Sequence, residues 1–567
     1  MATPGIFLFG GVALLTLAAP FELTEPLVRL PRQAITSLEA AILVAFAAWG
    51  TVVVASRRLP QWQTPLTLPW LALVAAMIVA SIASPVSRVN ALHMTGRLTA
   101  ALGIYLLAVN SMTTRSRLAA ALRLAVAVGV VVGVLAILEY LGSPPVLTAL
   151  QAFRPGVATV GAQVRAGGPL QYPTIASMYL EIVFAFGLGV MLSAHDDRSH
   201  RRRALRVAGW FLALVIVGEA ITLTFTRAGL ITMAASLLLV GAIRVARRGF
   251  DRGAWLVVAV AATVATLFFF SRSRESMWLR FTSEGQESWY RTEIAAPPRF
   301  EMQRDHTLTI PISVTNTGRL PWDSTASPPI LMSYHWLPAD GDGFVAYEGG
   351  RTPFPSPIAP GATAPLDVAV RAPAQPGEYR LEWDVVQEGR LWFSTEPGAA
   401  RVISRALVLG DAAANARGDA LMPPPRPTVR PGRFRLWRAG LKMVAAHPLL
   451  GVGPDNFRLA YGAYAGLPGA DERIHSNNMY LEMFVGGGIV MGAAFVWLAW
   501  RAAASFARLA GAAAPQDQAA GLGIAAAGLA IALHAAVDSF LSFAPIYVLF
   551  SLTLGYAVAS ARGMEAD

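Results

Sequence analysis

Residues 118–138 read LAAALRLAVAVGVVVGVLAIL, an apolar run whose only charge is Arg123. About 20 such residues cross the roughly 30 Å hydrocarbon core of a bilayer as a helix. This run is one of twelve. The others begin near Ile6, Leu38, Leu66, Leu98, Thr174, Val207, Gly229, Trp255, Asn478, Gly521 and Ala544. The first resembles a signal peptide, with Ala18-Ala19 near its end, but no Lys or Arg precedes it, and it is read as a retained span. The predicted fold class is an α-helical polytopic membrane protein with about 12 transmembrane helices. Composition agrees: 54% of the 567 residues are hydrophobic and only 14% charged, against about 25% charged in soluble proteins. A simple soluble enzyme and a disordered chain are both excluded.

Lys+Arg exceeds Asp+Glu, 46 to 35, for a net charge of +11. The surplus is read as topological rather than as a nucleic-acid surface, because many arginines fall in short loops between apolar runs. With both termini inside, sixteen loop arginines lie inside. Seven lie outside: Arg29, Arg32, Arg88, Arg97, Arg154, Arg165 and Arg227. That asymmetry predicts cytoplasmic termini and an extracytoplasmic polar insert. The seven outside arginines run against the bias, so they are candidates for lipid phosphates or an anion site. The chain has no cysteine, which excludes disulfides, thiolate metal sites and a Cys nucleophile.

The insert changes character. Thr307–Val314 alternates with period two, Asn316-Thr317-Gly318 signals a turn, and 331–336, 365–370 and 379–385 read as further strands. About seven short strands over about 100 residues predict an inserted extracytoplasmic β-sandwich, immunoglobulin-like, at about 300–404. Trp322, Trp336, Trp383 and Trp392 are expected in its core. His306 and His335 lack metal-ligand companions. Residues 412–432, with Pro423-Pro424-Pro425, read as an extended linker.

The stretch that carries chemistry follows. Arg433-Phe434-Arg435-Leu436-Trp437-Arg438 opens an amphipathic helix, with Phe434, Trp437, Leu441 and Val444 on one face and Arg435, Arg438 and Lys442 beside it. It is predicted to end at His447-Pro448. His447-Pro448-Leu449-Leu450-Gly451-Val452-Gly453-Pro454-Asp455-Asn456-Phe457 follows, then Ile474-His475-Ser476-Asn477-Asn478-Met479-Tyr480-Leu481-Glu482 and Gly486-Gly487-Gly488. The Gly451-Val452-Gly453 turn lacks the Gly-Lys-Ser/Thr ending of a phosphate loop. His475 stands just before an apolar run, at a membrane face.

Together these blocks resemble the signature of the O-antigen ligase and polymerase superfamily: Arg-x-x-x-Trp, His-Pro-Leu-Leu-Gly-x-Gly-Pro-x-Asn-Phe, a His-x-(His/Asn)-Asn-x-Tyr-Leu element and a Gly-rich helix start. Thr224-Phe225-Thr226-Arg227-Ala228-Gly229 resembles the family's Ser-x-Ser-Arg-(Ala/Gly)-Gly element, with Thr for both serines. The strong part covers about 60 residues. One departure is Asn477, where many members carry a second histidine. The sandwich is not part of the family core.

The resemblance implies a metal-independent enzyme without a cofactor. Such an enzyme moves a glycan from a polyprenyl-pyrophosphate carrier, such as undecaprenyl pyrophosphate, to an acceptor hydroxyl at the outer face of the bacterial inner membrane. The acceptor is a glycan, a lipid (as in lipopolysaccharide assembly) or a protein. His475 is the implied general base. Arg227 and Arg433 are the implied pyrophosphate clamps, and Arg435, Arg438, Asn477 and Asn478 are further substrate-binding candidates. The chemistry suits the types, since guanidinium forks bind phosphate bidentately and histidine titrates near neutral pH. Glu22 and Glu25, acidic residues of the first outside loop, have no supporting metal cluster. The competing readings are a polysaccharide polymerase or protein O-oligosaccharyltransferase of the same superfamily, a transporter, and a surface-binding protein. Against a transporter, no paired broken-helix repeat is evident. Nine spans ahead of the insert are excessive for an anchor. The expected organisation is helices 1–9 over 1–270, the insert over 271–411, the linker over 412–432, an extracytoplasmic catalytic loop over 433–475, and helices 10–12 over 476–567.

Overall fold

A computed structural model describes residues 4–270, 289–410 and 431–563, apart from short stretches at 31–32, 58, 155, 157, 161–162, 198–200, 327–328, 342, 389–390, 396–398, 468–470 and 512–514. The linker read at 412–432 lies almost wholly outside the described residues, as does Arg32. The chain falls into two compact units, one of residues 1–158, 164–272 and 430–567, the other of 159–163 and 273–429.

The first unit is helical. Its long helices are α1 (Pro4–Ala18), α2 (Ser37–Ser56), α3 (Thr67–Ile82), α4 (Arg88–Ser111), α5 (Arg115–Tyr140), α7 (Pro173–Asp196), α8 (Arg203–Leu223), α9 (Arg227–Arg248) and α10 (Arg252–Phe270); the short α6 (Pro144–Leu150) lies between α5 and α7. After the insert come α11 (Arg433–Ala446), α12 (Phe457–Ala465), α13 (Met479–Ala510), α14 (Pro515–Ala535) and α15 (Ala544–Gly563). Every predicted run holds a helix. Among the described residues, ten are long and apolar enough to span; α1 and α3 are shorter. The protein is a multi-pass membrane protein of about ten spans. One boundary differs markedly. The run expected from Leu98 starts at Arg88, because Ser87 caps the helix by accepting from the Asn90 N–H. A polar first turn is invisible to hydropathy, and it carries Arg88 and Arg97 out of the loop and onto α4.

The central helix is α7, whose spanning window is wholly buried. It packs on α14 through glycines that let the two backbones meet. A Cβ at Gly189 would lie 2.9 Å from the Ala519 carbonyl oxygen, and one at Gly523 would lie 2.8 Å from that of Ala185.

The second unit is β. Strands β1–β4 are short pairs in the helical part of the chain: Val28–Leu30 with Gln33–Ile35, and Ala158–Val160 with Gln163–Arg165. Among its described residues the insert contributes eight strands: β5 (Thr292–Ala295), β6 (Arg299–Gln303), β7 (Thr307–Asn316), β8 (Ile330–Pro338), β9 (Thr363–Arg371), β10 (Gly377–Gln387), β11 (Leu391–Trp392) and β12 (Val402–Leu409). One sheet runs β11-β10-β12-β6, with β8 also paired to β10; the other is β5-β7-β9. Alternation along β7 and β9 sends Ile310, Val314, Val368 and Val370 inward, against Leu381, Val385 and Ala406 of the larger sheet. Trp322, Trp336, Trp383 and Trp392 are buried, as expected. His335 is also buried; its Nε2 faces Asp384 Oδ2 at 3.3 Å.

Candidate functional site

The signature residues meet at one end of the helical unit, and the meeting is organised by a broken helix. In α13 the backbone leaves helical geometry at Gly487 and Gly488, the latter at φ +61° and ψ −154°, a region essentially confined to glycine. The loop after α11 repairs the gap. Val452 and Gly453 donate their N–H groups to the carbonyls of Val485 and Gly486, each at 2.9 Å, and Ile489 donates to the Pro448 carbonyl at 2.8 Å. A Cβ on Gly451 would strike the Val485 carbonyl, and one on Gly488 would strike Leu449. The glycines of the two signature blocks are therefore two halves of one close backbone contact. The loop thus pairs with backbone groups on both sides of the break, as a broken helix in a bilayer requires of a neighbouring segment.

The same loop is pinned to α4. Ser84 Oγ donates to the Val452 carbonyl at 2.7 Å. The wholly buried Asn456 donates to Ser84 Oγ, the Ser87 carbonyl and the Val452 carbonyl at 2.9–3.0 Å. Asn90 donates to Asp455 Oδ2 at 3.2 Å and to Asn456 Oδ1 at 3.0 Å. Arg458 Nε donates to Asp455 Oδ2 at 2.9 Å.

This scaffold places His475 between two carboxylates. Its Nδ1 lies 3.7 Å from Asp455 Oδ1 and 3.8 Å from Glu482 Oε1, and its side chain is 16% exposed. Glu482 is itself held: Oε1 accepts from the Ser476 N–H at 2.8 Å and from Ser539 Oγ at 3.3 Å. Burial pushes His475 down, but the Glu482 and Asp455 carboxylates outweigh it and leave the imidazole above its ordinary value. A cavity of about 20 Å³, room for about one water, adjoins Asp455, Glu482 and Ser539, and its apolar wall is Met77, Met94, Met479, Met483 and Met491. Backbone strain gathers here too. Of five non-glycine residues at positive φ among the described residues, three (Phe225, Asp455 and Asn477) lie in the motifs singled out from the sequence.

Residues 425–496 match the family described as O-antigen ligase. The match supports the superfamily resemblance read from the signature, and an O-antigen ligase or polymerase type of membrane function. The matched ligase segment contains α11, the loop, α12, His475 and both sides of the α13 break; Asn90, Arg227 and Ser539 lie beyond it. No curated protein matches the chain.

The other predicted site residues separate by environment. Arg227 and Arg433 each occupy the first position of a helix, α9 and α11, and both are exposed. Arg438 is also exposed. Among the described residues, these three have no ion-pair partner. Arg435 instead donates to the Ala465 carbonyl at 2.9 Å, at the end of α12, where a cation suits the helix dipole. The Asn478 carboxamide oxygen caps α13, accepting from Leu481 N–H at 3.0 Å. Asn477, in the left-handed region, turns the chain between His475 and that cap.

The face of α11 that packs on the protein is not the apolar face read from the sequence. Leu436, Ala439, Gly440 and Met443 are buried, whereas Phe434 is 83% exposed and Leu441 63%. The chain is apolar on two sides of this helix, and small Ala439 and Gly440 allow the close approach to Leu481, whose side chain a Cβ at Gly440 would meet at 2.8 Å. Trp437 is half-buried and donates to the Ser476 carbonyl at 3.0 Å, joining α11 to the His475 turn. Arg154, read as lipid-facing or anion-binding, is neither: it is 3% exposed and paired with the fully buried Glu139. Glu139 also accepts the Gly167 and Gly168 N–H groups at 3.0 and 2.8 Å. Arg165 donates to the Thr224 carbonyl at 3.0 Å, bracing the turn ahead of Arg227.

Asp455, Glu482, Arg458 and Asn90 escaped the sequence reading. Asp455 and Glu482 stood inside the quoted blocks; carboxylates flanking a signature histidine were the available signal. Asn90 left none, being over 360 residues from its partners. His195, Asp196 and Asp251 are close enough to share a cation, but both carboxylates already hold Arg244, at 2.8 and 2.6 Å.

Proposed function

We propose that this protein is a membrane glycosyltransferase of the O-antigen ligase type. It transfers a glycan from a polyprenyl-pyrophosphate carrier to an acceptor hydroxyl at the outer face of the bacterial inner membrane, with both termini cytoplasmic and the β insert outside. The observation that carries this reading is His475 with its Nδ1 3.7 and 3.8 Å from the Asp455 and Glu482 carboxylates, in a chain whose Arg227 and Arg433 stand exposed at helix starts.

The geometry supports the following chemistry. Carboxylates at Nδ1 favour a proton there, which leaves the Nε2 lone pair for the acceptor hydroxyl. As that hydroxyl attacks the anomeric carbon, its proton passes to Nε2, and the bond from sugar to phosphate oxygen breaks. The electron pair leaves on the carrier pyrophosphate, whose growing charge is met by the guanidinium groups of Arg227 and Arg433, with Arg438 nearby in sequence. Asn477 is proposed to meet the sugars of donor or acceptor; Arg435 and Asn478 hold the surrounding backbone.

Two experiments test this. With purified protein and a lipid-pyrophosphate glycan donor, Arg433→Lys and Arg227→Lys should each lose transfer by about tenfold or more, because lysine keeps the charge but not the planar fork. Near-normal transfer in both folded variants would overturn the clamp. Separately, a reporter active only outside the cytoplasm, fused at Gly349, should be active, and one fused at Asp567 inactive. The reverse pattern would place His475 on the wrong side of the membrane.

A further inference from the structure

We propose that Glu181 and His534 form a second proton-binding centre, set within the helical bundle, that controls how readily His475 takes a proton. The proposal rests on His475 being the base for its catalytic meaning, but not for its test.

Glu181 on α7 is fully buried and His534, in the last turn of α14, is 1% exposed. His534 Nδ1 lies 3.0 and 2.9 Å from the two Glu181 carboxylate oxygens. Thr232 on α9 donates its hydroxyl to Glu181 Oε2 at 2.6 Å. Ionisable groups inside a bundle are costly, and packing alone is served as well or better by apolar residues. The glycine contacts between α7 and α14 already supply that packing. The pair is also incomplete. His534 Nε2 is buried without a hydrogen-bond partner among the described residues, an arrangement that costs stability. One ring nitrogen is thus saturated by a carboxylate while the other is open to a proton.

The charges that act on His534 are Glu181 from α7, Asp538 from the turn that follows α14, and Arg433 from the start of α11. Thr232 adds a hydroxyl from α9, and the Phe540 ring lies 6.4 Å away. Arg433 is also a proposed pyrophosphate clamp. The turn after α14 then leads to the base. Val537 N–H donates to the His534 carbonyl at 2.9 Å, Ser539 N–H to Asp538 Oδ1 at 2.8 Å, and Ser539 Oγ to Glu482 Oε1 at 3.3 Å. Glu482 Oε1 faces His475 Nδ1. Facing His475 itself are Glu482 from α13, Asp455 from the signature loop, and, behind Asp455, Arg458 from α12.

The sign follows from charge. A net negative Glu181–His534 pair favours the imidazolium at His475. A proton taken up by the pair cancels that charge and makes His475 a weaker base. The two sites are then a coupled titration, in which neither curve belongs to one residue alone. Their positions make Glu181 and His534 positioning residues that act through Asp538, Ser539 and Glu482.

The test is a histidine NMR titration of the full-length protein, isotope-labelled and in detergent micelles. The wild-type His475 curve should be broadened by coupling. Glu181→Gln should lower the His475 midpoint by about half a pH unit, the scale of one charge acting across a protein interior. His534→Asn, which keeps the Nδ1-side donor but cannot take the second proton, should give a single-site curve. An unchanged His475 curve in folded Glu181→Gln overturns the proposal. Should that variant fail to fold, a wild-type-shaped curve in His534→Asn overturns it instead. Full transfer by His475→Ala would remove the base reading, while the NMR curves would still decide the coupling.

Discussion

Replacing His475 with alanine should lower glycan transfer by about 10²–10⁴-fold, roughly 3–5 kcal/mol of barrier, with donor still bound by the folded protein. The comparison is His447→Ala, whose Nε2 meets the Tyr464 hydroxyl at 3.3 Å and whose loss should be far smaller. The site also dictates a pH profile. A base works only when neutral, and the Glu482 and Asp455 carboxylates, against the opposing effect of burial, hold His475 above its ordinary 6.5. Transfer should therefore fall as pH drops through a midpoint above that value. Glu482→Gln removes one of the two stabilising charges and should move the limb to lower pH. Full activity in purified His475→Ala sinks the assignment, and a limb that stays in place in Glu482→Gln sinks the electrostatic account of it.

Gly488→Ala should cost roughly 2–4 kcal/mol of stability, read as a lower Tm and reduced accumulation in the membrane. Two effects add. The residue sits at φ +61°, where an L side chain is strained, and its Cβ would meet the backbone of Leu449, which cannot rotate away. Gly10 and Gly96 are the controls, since a Cβ at either meets nothing within 4 Å. Equal Tm values for Gly488→Ala and Gly96→Ala would show that the loop does not depend on close contact with the helix break.

The fold was largely legible because bilayer spanning and β alternation are local signals. Twelve apolar runs each hold a helix, and the strands read at 307–314, 331–336, 365–370 and 379–385 lie within β7, β8, β9 and β10. Polar turns at helix starts were not legible, as Arg88 shows, since capping by Ser87 depends on one hydroxyl rather than on hydropathy. The site was legible as a list of motifs and not as an arrangement. His475, Arg227 and Arg433 stood out by residue type and resemblance. That Arg154 serves a buried carboxylate, or that Asn90 reaches Asp455, depends on pairings between distant segments. On α11 two apolar stripes competed, and the one with small residues packed because only it admits Leu481 so closely.

The pairing of residues 448–453 with the break in α13 also bears on how the protein is made. A helix that must borrow hydrogen bonds from another segment is a poor substrate for insertion by itself, since its unsatisfied amides face hydrocarbon at several kcal/mol each. Here the lending segment precedes the borrower in the chain. A ribosome finishes Pro448–Gly453 before Gly486–Gly488 is translated, so the broken stretch enters the bilayer with its complement already synthesised. Chain order thus makes the partner of the break available before the break itself is inserted. A circular permutation that reversed that order would leave the same final contacts but expose the break while the protein is being inserted.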